Sequence, residues 1–285
     1  MRLRDTPPVM EDSGADFILA DTLSLSSPDI SRTRLWRQIK SGSVVKPGLA
    51  ACLAQSAVPV LLRVMFTPRL DTLPLAQLRL WDELSATPAM FTLYGGTAIA
   101  LRLGHRVSID FDFFSPESFM PAEMRRQIPY LAGGQVLQEA PNTLTISVER
   151  EGPVQLSFFG GVNLGQVEPH DLACGPEIKV ASLVDMGGMK AAVVTQRAEL
   201  KDYLDIHALL TEAHISLPLM LSAACVIYGE EFNPLVSLKA ISYHDDDALA
   251  GLSAGIKHDL IAAVRSVDLE NLPLLSPVRM RRPHP

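Results

Sequence analysis

The run Tyr94-Gly95-Gly96-Thr97 is followed, after a short helical pattern, by Ser108-Ile109-Asp110-Phe111-Asp112-Phe113-Phe114, and these two runs decide the fold. Apolar residues alternate with polar ones in the second run, which predicts a strand over 107–114. Because successive side chains of a strand point to opposite faces, Asp110 and Asp112 are expected on the same face. The opposite face is expected to carry Val107, Ile109, Phe111 and Phe113.

Two carboxylates on one strand face predict a metal site. Residues two apart in a strand have Cα atoms about 6.5 to 7 Å apart. Carboxylates held that close repel each other unless a cation neutralises them. Mg²⁺ prefers such oxygen ligands, and its coordination is usually completed by water and substrate phosphates. Asp110 and Asp112 are therefore candidate Mg²⁺ ligands.

The glycine pair predicts a phosphate-binding turn. Without Cβ atoms, Gly95 and Gly96 let backbone N–H groups approach a triphosphate, and the helix that follows presents its positive N-terminal end. Thr97 adds a hydroxyl at the same place. Either motif alone is common in turns and solvated strands, but the combination predicts a site that holds a nucleoside triphosphate (NTP) against a metal ion.

The surrounding pattern predicts an α+β protein. A helix is expected from the spacing of Leu75, Leu78, Trp81 and Leu84, and a β-hairpin from the alternation over 143–149 and 154–159. Beyond 161 helices dominate, with one long helix expected over 182–210, weakened or kinked at Gly187-Gly188. We expect a small mixed sheet with flanking helices, followed by a helical C-terminal half.

The chain divides into three expected regions. An N-terminal extension covers 1–66, a sheet domain 67–177 and a helical domain 178–285. For the extension, the sequence leaves open a poorly ordered leader or a short helix–turn–strand unit.

Composition narrows the class of protein. The net charge of −7 excludes non-specific binding to nucleic acid by charge alone, so any such binding is local. The widely spaced Cys52, Cys174 and Cys225 predict neither a disulfide framework nor a zinc site. No run of the sequence has the length and apolarity of a membrane span or a secretory signal. A cytoplasmic protein is the expectation.

A second motif lies in the predicted long helix. Lys190, Val194, Arg197, Lys201 and Asp205 recur at helical spacing and are expected on one helix face. The three cations could bind phosphates or neutralise charge on a transferring group. A solvated face with i,i+4 ion pairs is the alternative interpretation.

The runs 93–106, 108–114 and 190–205 together resemble the AbiEii/AbiGii nucleotidyltransferase toxins, a branch of the DNA polymerase β-like superfamily. The resemblance covers about residues 66–270. It implies a sheet that carries the metal carboxylates and transfer of a nucleoside monophosphate from an NTP to an acceptor. Asp110 and Asp112 match the metal-binding pair, and Gly95, Gly96 and Thr97 match the nucleotide turn. Lys190 and Asp202 match a later lysine and acid.

The resemblance also implies partners. The expected acceptor is RNA, such as tRNA, or a protein, and a cognate antitoxin is expected. Arg106 and Arg197 are expected to contact nucleotide phosphates. In the proposed roles Lys190 stabilises charge, and Asp202 is the base or a third acid.

One position departs from the pattern of the superfamily. A third carboxylate usually lies on a later strand, where this chain has Ser157. Glu149, Asp202 or Asp205 are candidate substitutes. Without a substitute, the alternative is a non-catalytic module that binds a nucleotide or a partner.

Overall fold

The computed structural model describes residues 64–281. Within them, residues 65–180 supply the strands of a mixed eight-stranded sheet. These residues belong to a unit that spans 61–285. Most of the expected extension 1–66 lies outside the described residues. The strands are β1 (Met65–Phe66), β2 (Thr92–Tyr94), β3 (Asp110–Phe114), β4 (Gln135–Ala140), β5 (Thr143–Glu149), β6 (Pro153–Phe159), β7 (Asp171–Ala173) and β8 (Lys179–Val180).

The strand order is β1-β7-β8-β2-β3-β6-β5-β4. β3 is central, because it pairs antiparallel with β2 and parallel with β6. β5 and β6 form the expected hairpin, in which Glu149 pairs with Pro153. The mixed sheet confirms the predicted fold class.

The helices flank the sheet and then follow it. They are α1 (Leu75–Leu80), α2 (Gly95–Leu103), α3 (Pro121–Gln127), α4 (Leu183–Val193), α5 (Leu200–Thr211), α6 (Leu217–Tyr228), α7 (Pro234–Ser242) and α8 (Ala254–Arg265). All helices after β8 belong to the helical part, whose first helix begins at Leu183. The expected domain boundary at 177/178 stays a prediction. None of the described helices combines the length and apolarity needed to cross a membrane.

The core lies behind β3. Phe111 and Phe113 are fully buried, and the ring of Phe113 stacks on that of Phe158 at 5.2 Å between centroids. The expected inward orientation of Val107 and Ile109 was wrong, because they are 60% and 55% exposed. These residues precede the strand, and hydrogen bonds to the region of α1 hold the segment outside the ladder.

The helix expected from residue 75 differs from the prediction in its length and in the face that it buries. Trp81 and Leu84 are buried, but Leu75 and Leu78 are exposed. α1 is only six residues long and continues as a 3₁₀ helix over Trp81–Ala86. Because a 3₁₀ helix has three residues per turn instead of 3.6, the side chains after Leu80 turn to a different direction.

The single long helix predicted over 182–210 was wrong. The chain leaves helical geometry between Val193 and Leu200, so that α4 and α5 are separate helices. The β-branched run Val193-Val194-Thr195 is a poor helix former, and the Thr195 hydroxyl donates to the carbonyl of Ala192 instead.

Gly187 and Gly188 do not kink α4, which is continuous. They lie against α6, where a Cβ added at Gly188 would lie 2.7 Å from the backbone nitrogen of Ala224. The glycine pair therefore lets two helices approach closely.

Candidate functional site

Asp110 and Asp112 project from β3 on the face opposite the phenylalanine core. Both are partly buried. Asp112 lies in a cross-strand row, because it pairs with Tyr94 on β2 and with Ser157 on β6. The side chain of Ser157 acts to lower the pKa of Asp112. The position expected for a third carboxylate therefore holds a neutral hydroxyl in the register position beside Asp112.

The two carboxylates are in an environment that disfavours their charge. Burial and the neighbouring Asp110 together raise the pKa of Asp112 to about 6, against the opposing effects of Lys190, Ser157 and Lys201. Burial also raises the pKa of Asp110, although Lys201 and Arg106 act against it. A cation bound between these side chains would remove the repulsion.

The glycine turn lies beside this pair. Gly95 has a φ of +76°, and a Cβ at this position would lie 2.9 Å from Oδ2 of Asp112. α2 begins at Gly95 and has no acidic residue in its first turn. Its unpaired N–H groups and positive helix end therefore point to the region of the carboxylates, where an anion is favoured.

Thr97 is placed differently from the expectation that it offers a hydroxyl to phosphates. Its side chain is 2% exposed. The hydroxyl is 2.8 Å from Oγ of Ser108 and also donates to the carbonyl of Asp110. Thr97 therefore fixes α2 to the start of β3, which sets the position of Asp110.

Asp205 joins the turn to the helical part. Its fully buried carboxylate accepts hydrogen bonds from His105 Nε2 at 2.7 Å and from Arg106 Nε at 2.7 Å. Lys190 Nζ is 2.7 Å from its Oδ2. Burial alone would raise the pKa of Asp205, but Lys190, His105 and Arg106 outweigh burial and hold the pKa well below its usual range.

Lys190 lies between two acids of α5. Its Nζ is 2.6 Å from Oδ1 of Asp202, in addition to the contact with Asp205. Burial acts to lower the pKa of Lys190, but the two carboxylates raise it, so the ammonium stays charged. The break after α4 makes this possible, since residues twelve apart in one straight helix would be about 18 Å apart.

Arg197 does not point at the carboxylate pair. Its guanidinium lies 3.1 Å from Oδ2 of Asp202 and 3.0 Å from Oε1 of Glu199. Glu149, a candidate substitute for the third carboxylate, instead accepts a hydrogen bond from the N–H of Gly152 in the hairpin turn. Lys201 pairs with Glu199 at 2.9 Å, and its charge acts to lower the pKa of both Asp110 and Asp112.

The residues present fit a divalent cation of the Mg²⁺ class. Asp110 and Asp112 supply hard oxygen donors with raised pKa values, and the missing Cβ of Gly95 leaves space beside Asp112. Within residues 64–281, no group of three or more His, Cys, Asp or Glu side chains forms a metal-binding cluster. The further ligands would come from water and substrate phosphates.

Two members of the site have partners that the sequence did not predict, although Asp205 was a candidate for the missing third carboxylate. Asp205 lies three residues after Asp202, and this i,i+3 spacing on one helix face was the available signal. His105 precedes Arg106, but nothing in the sequence pairs it with Asp205.

The chain is similar to several known proteins. A curated protein of Aquifex aeolicus (strain VF5), itself described as uncharacterized, is 34% identical over 128 residues, which is 42% of this chain. The chain spans 57% of that relative's length.

Two solved structures are also similar. A candidate nucleotidyltransferase from H. pylori has a TM-score of 0.40 at 16% identity, covering 65% of this chain and 88% of its own. MenT4, a nucleotidyltransferase toxin from Mycobacterium tuberculosis H37Rv, has a TM-score of 0.45 at 15% identity, covering 67% and 83%.

The family model described as "Nucleotidyl transferase AbiEii toxin, Type IV TA system" matches residues 79–266, which is more than half of the chain and contains the whole site described above. The chain belongs to this AbiEii nucleotidyltransferase toxin family.

Proposed function

We propose that this protein is a Mg²⁺-dependent nucleotidyltransferase that moves a nucleoside monophosphate from an NTP to an acceptor hydroxyl and releases pyrophosphate. The observation that carries the proposal is the position of Asp110 and Asp112 beside the Gly95 turn, on one face of β3. Family membership supports the same reaction class.

In this proposal the glycine turn binds the triphosphate of the substrate, and the carboxylates bind the metal ion. The N–H groups at the start of α2, from Gly95, Gly96 and Thr97, bind the triphosphate. Asp110 and Asp112 hold the metal ion. The ion, when bound, neutralises phosphate charge and orients the attacking and leaving oxygens. The acceptor oxygen forms a bond to the α-phosphorus as the bond to pyrophosphate breaks, and the proton of the acceptor hydroxyl passes to water.

Lys190 is the residue that we assign to the phosphates from the helical part. An ammonium has three donors, and Asp202 and Asp205 accept two of them. The third is available to a phosphate oxygen, whose charge is stabilised most in the transition state. Asp202 then positions Lys190, a role that its buried carboxylate supports better than that of a base. Arg197 supports Asp202, and Arg106 supports Asp205 beside Gly96.

We further propose that the protein acts in the cytoplasm as the toxin of a toxin–antitoxin pair. An antitoxin partner is expected from the family description. The acceptor is RNA, such as tRNA, or a protein.

The test is transfer of label from each α-³²P NTP to total RNA or cell lysate. The variant Asp110→Asn/Asp112→Asn should lose transfer, whereas Asp245→Asn/Asp247→Asn removes the same charge from an exposed turn and should retain it. Equal transfer by both variants would exclude the proposed site.

The alternative is a non-catalytic module, and the replacement of the third carboxylate by Ser157 favours it. Calorimetry separates the two functions. Mg²⁺-dependent NTP binding without pyrophosphate release, with RNA or lysate present, would identify the module.

A further inference from the structure

A second concave site lies at the far end of β2 and β3 from the glycine turn. The cavity measures about 590 Å³. Its polar lining comes from the start of β2, from β8, from the loops that follow β3 and β6, and from the C-terminal segment. The polar lining residues are Thr92, Glu117, Gln166, His170, Lys179 and Arg279.

This cavity lies on the same sheet face as the metal carboxylates. Thr92 pairs with Phe114 and Tyr94 pairs with Asp112, and paired residues project to one side. The edge-to-face contact of Tyr94 with Phe114, at 5.3 Å between centroids, confirms this side. Along β2 the order is therefore the glycine turn, the row of Asp112, and then the cavity about 6.6 Å further on.

His170 connects the cavity with the carboxylate row. Its Nδ1 is 3.1 Å from the Thr92 hydroxyl, and its Nε2 is 3.2 Å from the Tyr94 hydroxyl. Tyr94 in turn is the β2 partner of Asp112. One imidazole thus touches the cavity wall at one nitrogen and a neighbour of the metal site at the other.

Two cations contribute positive charge to the cavity, opposed by the carboxylate of Glu117. Lys179 donates to the carbonyl of Ala89, and the Arg279 guanidinium donates to the carbonyl of Leu164 at 3.2 Å. Both of these acceptors are neutral carbonyl oxygens. Within the described residues Arg279 has no ion pair. Its backbone is fixed to Gln166 by hydrogen bonds of 2.9 and 3.2 Å, so the C-terminal segment holds this arginine in place.

We propose that this cavity binds a phosphate group of an RNA acceptor and thereby presents a neighbouring hydroxyl to Asp110 and Asp112. The inference rests on the proposed function. Arg and Lys in a polar cavity are the groups that bind nucleic-acid phosphates. The NTP phosphates occupy the opposite end, at Gly95. An RNA carries a hydroxyl and a phosphate at the short separation that the sheet sets, whereas a protein acceptor has no such phosphate.

The experiment measures binding of a fluorescent single-stranded RNA to the full chain by anisotropy in EDTA, where no transfer is needed. Lys179→Gln/Arg279→Gln should weaken binding at least ten-fold and reduce the slope of log K against log salt by about 0.7, for the one lost phosphate contact. The matched control is Arg125→Gln/Arg126→Gln, which removes two cations from another surface depression and should bind as the wild type does.

Folding is checked separately. The thermal midpoint of each variant is measured. The single variant Arg279→Lys keeps the charge and should retain most of the RNA affinity that Lys179→Gln/Arg279→Gln loses. This rescue supports a contact with phosphate rather than a role in holding the C-terminal segment.

The remaining outcomes overturn the inference. The inference is wrong if the wild type, the cavity variant and the control bind RNA equally. It is also wrong if none of them binds RNA and a lysate protein is labelled instead. If the cavity variant instead loses affinity for ATP or pyrophosphate and keeps that for RNA, the phosphate belongs to the nucleotide. If the wild-type protein binds RNA through the cavity but transfers no label from any NTP, only the proposed function is contradicted.

Discussion

Lys190 Nζ lies 2.7 Å from Oδ2 of Asp205, although fifteen residues separate them in the sequence. The same carboxylate also accepts from His105 and Arg106, which follow α2 directly. One buried acid therefore connects the segment after the glycine turn and α2 with both helices of the second motif. The geometry of the turn depends on this contact.

The first prediction concerns Asp205→Asn. Removing one partner of a buried ion pair leaves the other charge uncompensated, so we expect a loss of about 3–5 kcal/mol in the free energy of unfolding, measured in urea at pH 7. The pKa of Asp205 is lower in the folded protein, so its stabilisation is present above the unfolded value near 4 and is lost as the pH falls below it. The difference between the proteins should shrink at low pH.

The control for this prediction is Asp259→Asn. Asp259 also pairs with a histidine, His207 at 3.0 Å, but its side chain is 49% exposed. A pair this exposed contributes about 1 kcal/mol or less. Equal losses in the two variants would show that the buried cluster has no special role.

A second prediction concerns Asp112→Asn in the metal-free protein. Burial and Asp110 raise the pKa of Asp112 to about 6, above its unfolded value. The stabilisation from its protonated form is therefore present below pH 4 and lost as the pH rises through 6. At pH 7.5 in EDTA the amide should raise the free energy of unfolding by about 1–2 kcal/mol, although transfer is lost. Thermal melts at pH 4 and 7.5 test this, and a less stable variant at pH 7.5 would contradict it.

Close packing of α4 on α6 gives a third prediction. A Cβ at Gly188 would lie 2.7 to 2.9 Å from atoms of Ala223 and Ala224, two of them backbone atoms. Because backbone cannot move aside easily, Gly188→Ala should destabilise the protein by about 1–3 kcal/mol in urea. Gly255→Ala in α8 meets only Ser253 Oγ at 3.8 Å, and it should be neutral or stabilising by up to about 1 kcal/mol. The opposite order of stabilities would contradict this account.

Sequence periodicity predicted the strands and the carboxylate face because these are local properties. Phe111 and Phe113 face the core, and Asp110 and Asp112 face away from it, as two-residue alternation requires. Val107 failed the same rule, because periodicity does not show where hydrogen bonding to a neighbour begins.

The partners of Lys190 show where local patterns stop. A continuous helix would place Asp202 about 18 Å away from Lys190. The observed 2.6 Å contact depends on the break after α4, which brings the ammonium of Lys190 onto two buried acids. Helix propensity contains no information on such long-range pairing. The glycine pair at 187–188 was likewise interpreted as a kink, although its partner α6 explains it.

The last prediction separates backbone strain from site geometry. Gly95 and Gly133 share a φ of +76°, but a Cβ at Gly95 would lie 2.9 Å from Asp112 Oδ2, whereas one at Gly133 has no atom within 4 Å among the described residues. Both alanine variants should lose about 1–2 kcal/mol of stability, because the left-handed conformation disfavours a Cβ. Only Gly95→Ala should reduce label transfer, by about 100-fold, since it displaces Asp112, a proposed metal ligand. Equal label transfer by the two variants would show that the glycine turn has no role in the transfer reaction.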